Sequence, residues 1–74
     1  MNKLLKATLD YYESKKSESL AHLDILFNKS VGIGEHTDIT ADIRKWTESL
    51  SQAEENINSL KDNFLNKEKS LLQD

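Results

Sequence analysis

No proline occurs anywhere in the 74 residues, and the only two glycines stand two apart, at Gly32 and Gly34. These are the residues that break helices: proline lacks a backbone donor and clashes with the preceding turn, and glycine pays the largest backbone entropy. Both glycines fall in one short stretch, Val31-Gly32-Ile33-Gly34-Glu35-His36-Thr37-Asp38. Two long uninterrupted arms remain on either side. Neither arm shows the sustained apolar–polar alternation of a strand. The expectation is an all-α fold, an antiparallel helical hairpin forming a single domain. Its first helix covers about 2–29, its loop about 30–37 and its second helix about 38–72.

The second arm carries the clearer pattern. Ile39, Ile43, Trp46, Leu50, Ala53, Ile57, Leu60 and Phe64 alternate in steps of four and three. That repeat keeps a narrow stripe turned toward a neighbouring helix, as in a coiled coil. Lys67 and Leu71 come next, so the stripe weakens and then recovers. Such a helix would be roughly 50 Å long at about 1.5 Å per residue. Thr37 or Asp38 is placed to cap it, accepting a free backbone N–H on a side-chain oxygen. Asp38 and Asp42 put negative charge on its first turn, where the helix dipole favours it.

The first arm is less regular. Leu5, Leu9 and Tyr12 begin an apolar face, and Leu20, Leu23, Leu26 and Phe27 resume it. Continuing the heptad between them puts Lys16 and Ser19 on the seam. Folding the chain back at the glycines sets this polar interruption opposite Leu50 and Ala53. An unbroken stripe thus faces a broken one, and one hairpin does not satisfy both.

A chain of this length seldom supports itself on its core alone, because burial and ordering entropy nearly cancel at about 1.5 kcal/mol lost per residue. There is no cysteine to add a disulfide or a thiolate metal site. A partner chain is the natural remedy. We therefore expect a homodimer that closes a four-helix bundle, with its interface on Ile43, Trp46, Leu50, Ala53, Ile57, Leu60 and Phe64. Trp46, at the middle of the seam, is expected to be substantially buried. An unidentified protein could take the second copy's place.

Other function classes find less support. The formal charge of −3, with acidic and basic residues interspersed, gives no basic track for nucleic acid. No window is apolar enough to cross a membrane, and Lys6 and Asp10 interrupt any signal-peptide core near Met1. Gly-Ile-Gly before a helix suggests phosphate binding, but no strand precedes it, no lysine follows, and Glu35 and Asp38 would repel an anion. Glu35, His36 and Asp38 are metal-ligand types, but three neighbours in a bend rarely converge on one ion. His22, with Glu18 one turn earlier, reads as an exposed helix pair. A narrow hairpin offers no deep pocket for catalysis. The chain is read as non-enzymatic, without metal or cofactor, and its glycine segment as a bend between helices.

One stretch is familiar. Residues 31 to 39, followed by Ala41-Asp42-Ile43-Arg44-Lys45-Trp46 and Gln52-Ala53-Glu54-Glu55, resemble small helical proteins of tailed, T4-like marine bacteriophages, in which a GxGEHxD loop leads into a long acidic helix. The resemblance covers residues 31 to about 64 and leaves the first helix unmatched. It implies a phage-infected bacterial cytoplasm and brings no activity, cofactor or partner. The expected role is a non-catalytic interaction module, an accessory protein of the phage. The alternative is a structural or assembly component of the particle.

Overall fold

A computed structural model of the chain describes residues 1–29 and 38–66. Helix α1 runs over Lys3–Lys29 and helix α2 over Ile39–Leu60, and a π-helical turn over Lys61–Asn66 continues α2. The two helices pack as the antiparallel hairpin expected from the sequence. The expected loop, with Gly32 and Gly34, lies outside the described residues, as do Lys67 and Leu71.

Both helices begin on a side-chain cap. The Asn2 Oδ1 accepts the N–H groups of Leu4 at 2.7 Å and Leu5 at 3.1 Å, which have no partner inside the helix. Asp38 Oδ1 does the same for α2, accepting the Ala41 N–H at 3.0 Å and the Thr40 hydroxyl at 2.8 Å. Of the two expected caps, Asp38 is the one that fills this role. The hydroxyls of Thr8 and Thr47 donate to the carbonyls one turn back, at 2.8 and 2.7 Å, so these residues sit inside helices without an unmet donor.

The register is set by three cross-helix contacts. Lys16 lies across from Glu54, Ser19 from Ser49 and His22 from Trp46. As numbers rise along α1 they fall along α2, which is the antiparallel arrangement. Leu9 and Leu23 on α1 and Ala53 and Ile57 on α2 are the buried apolar residues among those described. Each large one contributes about 1.5–3 kcal/mol when fully buried. Between Leu9 and Leu23 sits Ser19, the heptad's polar interruption, at 0 % exposure. Its hydroxyl donates to the Ser49 Oγ at 3.0 Å. A small side chain that satisfies its own hydrogen bond lets the two backbones come close without leaving an unmet polar group.

The π turn alters the end of the seam. The α2 stripe proceeds in steps of four and three up to Leu60, and the next step of four would turn Phe64 inward. A π turn closes its hydrogen bonds over five residues rather than four and so delays the helix by one position. Phe64 is accordingly 59 % exposed, and Leu65 is the half-buried residue. Trp46, near the loop end of the seam, is half-buried. The His22 ring on α1 covers one face of its indole.

The molecule measures 58 × 21 × 16 Å, with a Cα radius of gyration of 17.0 Å. A compact globule of this length would have a radius near about 11 Å. The hairpin is a rod two helices wide and one helix deep.

Candidate interaction surface

The two broad sides of the rod differ in chemistry. On one side, Lys16 Nζ lies 3.8 Å from Glu54 Oε2 and ties the helices together. One turn further along α1 comes Leu20, and one turn back along α2 comes Leu50. Seven residues on from Leu20 is Phe27, and seven back from Leu50 is Ile43. A spacing of seven returns to nearly the same azimuth. Leu20, Phe27, Ile43 and Leu50 therefore form an apolar quartet on the Lys16–Glu54 side, toward the loop end. Leu20 and Phe27 are exposed, and Ile43 and Leu50 are half-buried.

The opposite side is polar and aromatic. The His22 and Trp46 rings stack at 3.9 Å between centroids and 2° between planes. Lys45 Nζ lies 5.0 Å from the Trp46 ring centroid, within range of a cation–π attraction. Toward the open end, Tyr11 and Tyr12 meet edge to face at 5.2 Å, with Lys15 Nζ 5.7 Å from the Tyr11 ring. A shallow groove runs between Tyr11, Tyr12 and Lys15 on α1 and Ser49, Gln52 and Asn56 on α2. Its lysine already lies 3.5 Å from Glu18. At the open end itself, Met1 and Leu5 come near Phe64 and Leu65.

The seven residues expected to form an interface are thus distributed unequally. Ala53 and Ile57 are buried inside the hairpin, against α1. Ile43 and Leu50 belong to the apolar quartet. Trp46 is engaged by His22, Leu60 is half-buried near the open end, and Phe64 points outward. The stack on His22 was not legible as a site in the sequence, where His22 reads as an exposed partner of Glu18. The register carries the signal: once Ser19 is set opposite Ser49, moving three residues along each helix brings His22 to Trp46.

Of the proposed metal-ligand types in the bend, Glu35 and His36 lie outside the described residues. Asp38 is occupied as the α2 cap. The Ala41 N–H and the Thr40 hydroxyl that donate to it, with the Arg44 charge nearby, hold its carboxyl below the ordinary carboxylate range. Among the described residues, no group of three or more His, Asp or Glu side chains could hold a metal ion, and no helix is long and apolar enough to cross a membrane. The chain matches no family model, no curated protein and no solved structure.

Proposed function

We propose that this chain is a non-catalytic protein–protein interaction module that works through the outside of its hairpin. The observation that carries the reading is the apolar quartet. Leu20 and Phe27 stand exposed beside Ile43 and Leu50 on a rod too thin to enclose them. Singly exposed apolar residues are ordinary, but a contiguous group at helical spacing suits a partner helix. The resemblance of residues 31 to about 64 to small tailed-phage proteins supports an accessory role in an infected bacterial cell.

The test is affinity capture from bacterial host cells, with and without infection, using the wild-type chain and Phe27→Asp. A specific partner, or the chain's own second copy, held by wild type and released by the variant is the expected result. A chain that neither captures a partner nor self-associates would overturn the reading. Recovery of the chain as a stoichiometric part of purified phage particles would replace it with a structural role.

A further inference from the structure

We infer that the Lys16–Glu54 side of the hairpin is where a second copy of this chain packs, face to face, to close a four-helix bundle. The inference rests on the interaction-module reading and names its partner. The patch comprises Leu20, Phe27, Ile43, Thr47 and Leu50.

The chain exposes 5903 Å². A compact folded monomer of 8.5 kDa would expose about 4,650 Å² by the usual scaling with mass. The excess, about 1,250 Å², exceeds the roughly 800 Å² that each partner buries in a standard stable interface.

The patch is largely apolar. Its apolar side chains are 48 % exposed at Leu20 and 62 % at Phe27. Its one polar side chain, Thr47, spends its hydroxyl on the Ile43 carbonyl at 2.7 Å, so it can leave water without stranding a donor. The charges around it are of both signs: Lys16 and Glu54 face each other, Asp24 stands between Leu20 and Phe27 on α1, and Arg44 lies one turn before Thr47 on α2. Two positive and two negative neighbours balance, so the surface offers no single-sign field for a charged partner to recognise. It is complementary to itself, as a two-fold interface requires. The opposite side, with Lys15, Lys45, His22 and the tyrosine hydroxyls, would lose hydration at many polar groups if covered.

This arrangement also changes how the seam is used. Ala53 and Ile57 hold the hairpin together internally, and the second copy is met by the flank that Ile43 and Leu50 share with α1.

Light scattering coupled to size exclusion, run over a dilution series, tests the inference. Wild type should show twice the chain mass of 8.5 kDa at micromolar concentrations and fall toward one on dilution. Leu20→Asp and Phe27→Asp should move that transition to at least tenfold higher concentration, about 1.4 kcal/mol of association free energy. Ile25→Asp should leave it in place. Ile25 is 50 % exposed and lies about 200° around α1 from the buried Leu23, on neither the seam nor the patch. A second measurement does not depend on a folded monomer. The chain has no cysteine, so single Leu20→Cys and Ile25→Cys variants can be treated with a short bifunctional thiol reagent. Leu20→Cys should cross-link into dimers well above the Ile25→Cys level. Equal or reversed yields would overturn the inference, as would a wild type that stays monomeric throughout. A monomeric wild type that still captures a different protein through Phe27 would overturn the second copy alone and leave the interaction reading standing.

Discussion

Helix α2 carries an unbroken apolar stripe, and among its described stripe residues only Ala53 and Ile57 are buried. Helix α1 carries a broken stripe, and the residue that breaks it, Ser19, is the most deeply buried of the described residues. The contrast shows that burial belongs to a pair of helices rather than to either one. Small side chains meet at the fully covered middle of the seam, at Ser19, Ser49 and Ala53. Leu50 lies on the flank of the pair rather than between the helices and so remains partly in water. A polar residue in the middle of a seam weakens it only if its hydrogen bond goes unmet, and Ser19 meets its own with Ser49.

The largest effect should come from the well-covered end of the seam. Ile57→Ala removes one of the few buried apolar side chains and should cost about 2–5 kcal/mol. In a chain this short that is most of the available stability, and urea titration of the helical circular dichroism should show the transition collapsing to low denaturant. Half-buried Leu50→Ala should cost clearly less in the same titration. Equal costs would mean that the seam is uniform after all.

The next effect sharpens the claim about Ser19. Ser19→Leu restores an ideal apolar heptad but inserts bulk at a fully buried position, and it should destabilise by about 1–3 kcal/mol. The double change Ser19→Ala with Ser49→Ala removes donor and acceptor together and should be nearly neutral, within about 0.5 kcal/mol. If Ser19→Leu stabilised the protein, the serine would be an imperfection rather than a spacer.

The smallest effect lies at the start of α2. Because the Asp38 pKa is lowered in the folded chain, its stabilising contribution is present above the unfolded carboxylate value and is lost as pH falls through the lower folded value. Asp38→Asn keeps an accepting oxygen and should remove this acid-dependent step. An acid titration of helicity that is the same for both proteins would show that the cap does not depend on the charge.

The hairpin, its antiparallel sense and the Asp38 cap were legible in the sequence because each rests on local rules: two glycines in one segment, a repeat of fours and threes, an acidic residue before a helix. Placing Lys16 and Ser19 on the α1 seam was also legible, and Lys16 indeed reaches Glu54. What could not be read depended on the other helix. Whether Ser19 weakens or tightens the seam turns on Ser49 opposite it. Whether Trp46 is covered turns on how closely α1 can approach. Phe64 followed the repeat in sequence and left it in space, because the π turn adds one residue to the cycle and composition gives no local sign of it. The apolar quartet was hidden for the same reason: Leu20 and Phe27 looked like seam residues of α1 until the register placed them beside Leu50 and Ile43.

The His22–Trp46 stack gives the protein a reporter of its own closure. Trp46 is the only tryptophan, and its ring partner His22 belongs to the other helix. Indole emission in this chain therefore registers contact between the helices rather than helix content. Helices that form before they meet would gain circular dichroism first and change emission later, while a concerted closure would move both signals together. The order in which the hairpin assembles can thus be followed in the unlabelled chain by stopped-flow spectroscopy, with His22→Ala as the reference in which the optical link between the helices is cut.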